Sequence, residues 1–108
     1  DGQAITLEDY LAVRPERRAP LAAALQAGAL EAGPWYVLAD NLIPEGEALV
    51  RNLLMGQRVL AALGVAGPPV CWAPDAFGHP AALPALAAGA GLTAIVAWRG
   101  HGGPHDPP

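Results

Sequence analysis

The sequence predicts an α/β fold, and more specifically a fragment of a parallel β/α barrel with about three strands and intervening helices. Three short apolar runs, at 35–38, 70–72 and 93–98, are typical of buried strands. Stretches with helical spacing of leucines separate them, and this alternation favours parallel strands joined by crossovers. Because parallel strands need cover on both faces, three strands are few, and the chain is predicted to be part of a larger barrel.

Two helices are predicted before the first strand. Thr6 is expected to cap the first helix, with Asp9 three residues later completing a capping box. That helix should end near Arg14, because the residue before a proline avoids helical torsions. The second helix is predicted from about residue 15 or 20 to residue 30, before the break at Gly33 and Pro34.

The longest predicted helix follows the loop at 39–41. Pro44 suits its first turn, Glu45 and Glu47 lie where the helix dipole favours anions, and Gly64 ends it. An apolar stripe is predicted to face the core, with Arg51 and Arg58 opposite: Leu49, Val50, Leu53, Leu54, Leu60 and Leu63.

The second half of the chain continues the alternation. Residues 74–80 are predicted to form a loop, followed by a helix at 81–88 that tolerates Pro84 only in its first turn. Residues 1–100 are expected to belong to one partial domain. Residues 101–108, rich in Gly and Pro, are expected to be a loop or a truncated end.

Composition excludes several classes of function. The 108 residues have a net charge of −4, which disfavours a nucleic-acid binder. Lys and Ser do not occur, which excludes a Schiff-base lysine, a phosphate-binding P-loop and a serine triad. The single cysteine excludes an internal disulfide and is typical of a cytoplasmic protein. No apolar run is long enough to cross a membrane, so we expect no membrane partner.

Polar residues follow each predicted strand. Asp40, Asp75 and Arg99 lie one to three residues after the ends of the three apolar runs. In parallel α/β folds such residues gather at one rim, where reactive groups are usually found. The alternative is that Asp40 and Asp75 are ordinary turn residues, which aspartate often is.

The motif Asp75-Ala76-Phe77-Gly78-His79 resembles the Asp-x-Phe-Gly-His signature of glycoside hydrolase family 38, the α-mannosidase type. Further segments that are similar to this family lie in register at 1–3, 7–11, 33–40, 46–54 and 98–100. The resemblance therefore covers nearly the whole chain, and it implies a central fragment of the family's N-terminal catalytic domain.

The resemblance implies a zinc-dependent retaining hydrolase that cleaves α-mannosidic bonds in oligosaccharides. Asp75 would be both the catalytic nucleophile and a zinc ligand, Phe77 would line the sugar subsite, and Arg99 would bind substrate and orient carboxylates. The family's other zinc ligands and its acid/base residue lie outside this chain. The isolated segment is therefore expected to be inactive and to depend on the rest of the parent catalytic domain.

Other residues have less specific interpretations. A structural hydrogen bond is favoured over metal contact for His79. Core packing is favoured for Cys71, and it is favoured over sugar stacking for Trp35, Trp72 and Trp98. Adventitious metal binding or disorder is expected for His101, His105 and Asp106 in the tail. The competing hypothesis for the whole chain is a non-catalytic remnant or interaction fragment of the same fold. An upstream His-x-Asp pair in the reading frame would favour the enzyme, whereas a start codon at residue 1 would favour the remnant.

Overall fold

The computed structural model of the protein describes residues 2–100 and residue 102. Within that range it has the mixed order of helices and strands that the α/β prediction requires. The elements are α1 (Ile5–Val13), a 3-10 turn (Pro15–Arg17), α2 (Arg18–Gln26), α3 (Gly46–Ala62), β1 (Val70–Ala73), α4 (Leu83–Gly89) and β2 (Ala94–Ala97). The predicted tail at 101–108 lies outside the described residues, apart from residue 102.

The two strands pair directly and in parallel. Val70 lies opposite Ala94 and Ala73 lies opposite Ala97. Helix α4 supplies the crossover connection that a parallel pair needs. Pro84 lies in the first turn of α4, as predicted. The parallel arrangement is confirmed. The expected number of about three strands is wrong for the described residues, which contain two.

The segment at 35–38, predicted to be the first strand, has no strand partner among the described residues. Side-chain amides take the place of a neighbouring strand. The Val37 N–H donates to Asn52 Oδ1 (2.9 Å), and Asn52 Nδ2 donates to the Val37 carbonyl (2.8 Å). The Leu38 N–H donates to Gln3 Oε1 (2.8 Å). These bonds satisfy a partly buried backbone as a ladder would, so apolar composition alone led to the wrong assignment.

Helix α3 lies directly against this segment at Gly56. A Cβ atom added at Gly56 would lie 2.7 Å from both the Trp35 carbonyl carbon and the Tyr36 nitrogen, closer than any real side chain can approach. Gly56 is therefore required for the crossing. The helix starts at Gly46, two residues beyond Pro44, and ends before Gly64, whose φ of 78° confirms it as the terminator.

The predicted apolar stripe of α3 was too wide. Leu49, Leu53 and Leu60 are buried as expected, and Leu63 just beyond the helix is buried too. Val50 and Leu54 are 39% and 55% exposed, because each follows a buried leucine by one residue and so lies about 100° around the helix.

The first two helices differ from the prediction at their ends. Thr6 lies inside α1 and its hydroxyl donates to the Gln3 carbonyl (2.6 Å), so the predicted capping box is wrong. The end of α1 before Arg14 is confirmed. Helix α2 ends at Gln26 rather than near Leu30, since Gly28 adopts a left-handed conformation with φ of 69°.

Two buried clusters hold these elements together. The first joins α1, α2 and α3 through Leu7, Leu25, Val59, Leu60 and Leu63. The second joins α3, α4 and β1 through Trp35, Leu49, Leu53, Cys71, Leu83, Ala87 and Leu92. Cys71 is fully buried, which confirms it as a core residue, and burial raises the pKa of its thiol to about 11 against a smaller lowering by the Trp35 indole N–H.

The face of β1 and β2 that points away from α3 is open. Successive strand residues alternate between faces, so Trp72 points opposite to Cys71 and is 40% exposed. Trp98, just beyond β2, is 79% exposed, whereas Trp35 is 2% exposed. Core packing is therefore confirmed for Trp35 and wrong for Trp72 and Trp98. None of the helices in the described range is long and apolar enough to span a membrane.

Candidate active site

Three segments meet where β1 and β2 end: the turn at 40–42, the loop at 74–80 and residues 98–100. A cavity of about 290 Å³ opens between the first two segments, lined by Asp40, Asn41, Trp72, Asp75 and Phe77 among others. Because β1 and β2 run in parallel, the residues after each strand emerge at the same edge of the pair. This edge is the candidate active site.

Asp75 is the most accessible carboxylate of the edge. It lies two residues beyond β1, its side chain is 72% exposed, and its Oδ1 accepts from Arg99 Nε at 2.9 Å. Arg99 lies two residues beyond β2. The strand-end prediction thus brought Asp75 and Arg99 to one place, where the Arg99 guanidinium holds one oxygen of the Asp75 carboxylate in a charge-assisted hydrogen bond.

Phe77 contacts both Arg99 and Asp40. The Arg99 guanidinium carbon is 5.6 Å from the centre of the Phe77 ring, within the range of a cation–π contact. The Phe77 N–H donates to Asp40 Oδ1 at 3.2 Å. The ring itself is 69% exposed. Asp40 therefore fixes the backbone of the loop while the aromatic ring of Phe77 stays open to a ligand.

His79 joins the loop to both neighbouring segments. Its Nε2 lies 2.9 Å from the Arg99 carbonyl, and its Nδ1 lies 3.4 Å from Asn41 Nδ2. Asn41 is only 3% exposed. The favoured interpretation of His79 as a hydrogen-bonded structural residue agrees with these contacts.

Glycines allow these segments to touch. A Cβ atom at Gly100 would lie 2.5 Å from the Ala76 carbonyl oxygen and 2.7 Å from the Gly78 nitrogen. One added at Gly78 would collide with the Leu42 side chain. The backbones of the 74–80 loop and Gly100 are therefore in close contact, and the Leu42 side chain of the turn packs against Gly78.

No sequence pattern singled out Asn41. An asparagine beside Asp40 in a predicted turn is expected to be solvated, and nothing in the local pattern indicates burial. Its burial arises because the turn folds over the loop that carries His79, a contact between residues 38 positions apart. The available signal was that Asn41 follows Asp40 at the end of a predicted strand, and this position is too common to indicate a functional residue.

The described residues include no group of three or more His, Cys, Asp or Glu side chains that could hold a metal. Asp75 suits one ligand position, since its carboxylate is 72% exposed and lines the cavity. His101, His105 and Asp106 lie outside the described residues. Cys71 is buried in the core with a raised thiol pKa, which is the wrong environment for a thiolate ligand.

Comparison with known proteins identifies the family. The sequence profile described as the N-terminal domain of glycosyl hydrolases family 38 matches residues 3–102. A protein named "Putative mannosylglycerate hydrolase" from Halalkalibacterium halodurans is 44% identical over 93% of this chain and 11% of its own length. "Alpha-mannosidase 2C1" from Mus musculus is 39% identical over 62% of this chain and 7% of its own length.

A solved structure agrees with these sequence matches. The crystal structure of an alpha-mannosidase from Enterococcus faecalis superposes with a TM-score of 0.83 and 39% identity. The match covers 90% of this chain and 11% of that one, so the chain spans about a tenth of the length of this relative. The chain belongs to glycosyl hydrolases family 38, and it is a small segment of the N-terminal domain of that family.

Proposed function

We propose that the protein carrying this segment is a retaining α-mannosidase-type hydrolase in which Asp75 is the nucleophile. The observation that carries the proposal is the position of Asp75, exposed beyond β1 with Arg99 Nε 2.9 Å from its Oδ1. The names of the relatives support a mannoside as the substrate. The two parallel strands, with polar groups at one edge, support a segment of a parallel β/α barrel.

In the proposed reaction, a carboxylate oxygen of Asp75 attacks the anomeric carbon and the glycosidic bond breaks. The departing oxygen takes a proton from an acid about 5 Å from the nucleophile, as retaining glycosidases require. Water then cleaves the glycosyl ester and gives its proton to the same residue. The proton-donating acid lies outside this segment. The residues of the segment therefore supply the nucleophile and the groups that orient the nucleophile.

Arg99 and Phe77 are proposed to bind substrate beside Asp75. The guanidinium has N–H donors beyond the one that meets Asp75, and these suit sugar hydroxyls. The exposed Phe77 ring offers an apolar face against which a sugar ring can pack.

Zinc is proposed as the cofactor, with Asp75 as one ligand. A bound zinc would contact sugar hydroxyls and stabilise charge as the glycosidic bond breaks. Catalytic zinc normally has three protein ligands. The remaining ligands are therefore expected from other parts of the parent domain.

The test is Asp75→Ala in the full-length protein, assayed on a chromogenic α-mannoside. Loss of the nucleophile should lower kcat by about a thousandfold or more, because the covalent path is removed. Asp9→Ala is the matched control, since Asp9 is an exposed aspartate on α1 away from the site. Undiminished hydrolysis by Asp75→Ala would refute the assignment.

The substrate class can be narrowed in the same assay. One relative is named for mannosylglycerate and others for mannosides, so both an oligosaccharide and mannosylglycerate are candidates for this protein. The ratio of kcat/KM for the two substrates decides between them. The anomer released first, measured by NMR, tests retention independently.

A further inference from the structure

We propose that His79 is a positioning residue that holds Arg99 in the orientation that meets Asp75. The inference rests on the proposed function and adds a role for a residue that touches neither the substrate nor the nucleophile in that mechanism. It is carried by the two contacts of the imidazole, one to the Arg99 backbone and one to the buried Asn41.

The hydrogen-bonding partners determine which ring nitrogen carries the proton. A backbone carbonyl can only accept, so Nε2 must donate to the Arg99 oxygen at 2.9 Å. Nδ1 is then an acceptor and faces the Asn41 amide nitrogen at 3.4 Å. The ring is thereby held from two sides, and Asn41, which orients it, has an exposed fraction of only 3%.

Arg99 needs such an anchor because its side chain is only partly packed, with one face of the guanidinium near the Phe77 ring. Half of the side chain is exposed, and an exposed ion pair is too weak to fix a long flexible group by itself. The position of the Arg99 backbone therefore helps to set the direction of the side chain. His79 bonds to that backbone directly, at the Arg99 carbonyl.

The contact also joins Arg99 to the loop that carries its partner. Asp75 and His79 lie four residues apart in one loop, so the Arg99 side chain meets one end and its carbonyl meets the other. Asp40, the neighbour of Asn41, holds the same loop at the Phe77 N–H. The position of Arg99 relative to Asp75 is thus set within a single closed set of contacts.

The first test compares His79→Leu, His79→Gln and His79→Asn in the full-length protein on a chromogenic α-mannoside. His79→Leu should lower kcat by about 10- to 100-fold, the usual effect of losing a group that orients a reacting residue. His79→Gln should retain most activity, because its amide nitrogen can reach the Arg99 carbonyl. His79→Asn should lose more, because its shorter side chain reaches only toward Asn41.

The reverse order, or three equal activities, would overturn the proposal. A thermal transition is recorded for each variant, and rates are expressed per folded molecule. Should His79→Leu fail to fold, the comparison of His79→Gln with His79→Asn still decides.

The second test is a double-mutant cycle with Arg99→Met. If His79 acts through Arg99, His79→Leu should cause no further loss of kcat in the Arg99→Met background. Arg51→Met is the matched control, since Arg51 is in an exposed pair with Glu47 on α3, and His79→Leu should keep its full effect there. Losses that multiply in the Arg99→Met background would refute the positioning role.

The activity of Asp75→Ala distinguishes a failure of the proposed function from a failure of the positioning role of His79. If Asp75→Ala is inactive while the His79 and Arg99 losses multiply, the positioning role alone fails. If Asp75→Ala retains activity, the proposed function fails.

Discussion

The helical platform and the site rim are held by different forces. The platform comprises α1, α2, α3 and the segment at 33–38, and it is held by buried leucines and by side-chain amides that bond to backbone. The rim comprises residues 40–42, 74–80 and 98–100, where Asp75 and Phe77 are exposed and contacts are mostly polar. Changes in the platform should therefore alter stability, and changes in the rim should alter activity.

The largest effect is expected from Gly56→Val in the platform. The new side chain would collide with the backbone at Pro34 to Tyr36, where no flexible group can move aside. We expect stability to fall by about 3 kcal/mol, measured as a lower thermal midpoint of the full-length protein. Gly46→Ala is the control, because no atom lies within 4 Å of a Cβ there, and it should be neutral or raise stability by up to about 1 kcal/mol. Unchanged stability in Gly56→Val would contradict the close crossing.

Asn52→Ala tests how strongly amide bonds hold the platform. It removes the acceptor of the Val37 N–H and the donor to the Val37 carbonyl, so that neither backbone group keeps its Asn52 side-chain partner. We expect a loss of about 2 kcal/mol in denaturant unfolding. Gln57→Ala removes a single bond, to the Ala90 carbonyl, and should cost about half as much. Equal losses would show that the number of bonds does not determine the effect.

Asp40→Ala is the corresponding test at the rim. Loss of the bond to the Phe77 N–H should lower kcat by up to about tenfold, as expected for about 1.4 kcal/mol of lost positioning. The thermal midpoint should hardly change. Asp40→Asn keeps the acceptor oxygen and should restore most of the rate. A large drop in stability with normal kcat would place Asp40 with the platform instead.

The smallest effect concerns the pH dependence of stability through Cys71, which lies between the two regions. Burial raises the pKa of its thiol from 9.0 to about 11, so the unfolded chain loses this proton at lower pH than the folded one. Stability should therefore fall as pH rises from about 9 to 11, by about 1 kcal/mol at pH 10. The reference is Cys71→Ala, whose stability should fall less over the same range. If the stability of the two proteins fell equally with pH, the raised pKa of the Cys71 thiol would be contradicted.

The sequence predicted the platform and the rim to different depths. Helix α3 and strand β1 were found because periodic leucines and a β-rich run are local signals. The segment at 35–38 was misassigned because its backbone is satisfied by Gln3 and Asn52, and no local pattern reveals such distant partners. Trp72 and Trp98 were misplaced for a related reason, since strand composition does not tell which face is covered.

At the rim, the strand-end argument was enough to bring Asp75 and Arg99 together. Parallel strands end at the same edge, and that geometry is encoded in the order of elements. The contacts of Asn41 and His79 were not predictable, because they depend on how a turn packs over a loop 38 residues away. The catalytic and zinc-binding roles of Asp75 and the boundary at residue 100 stay predictions.

The bonds between Asn52 and the segment at 33–38 also bear on the order of folding. That segment pairs with no strand among the described residues, and Val37 finds its amide partner only after the middle of α3 exists. Helix α3 has 17 residues and local contacts, and closing the chain from Val37 to Asn52 spans only 15 positions. We therefore expect α3 to form early and to act as the template on which the preceding segment docks, before the strands that carry the rim are paired.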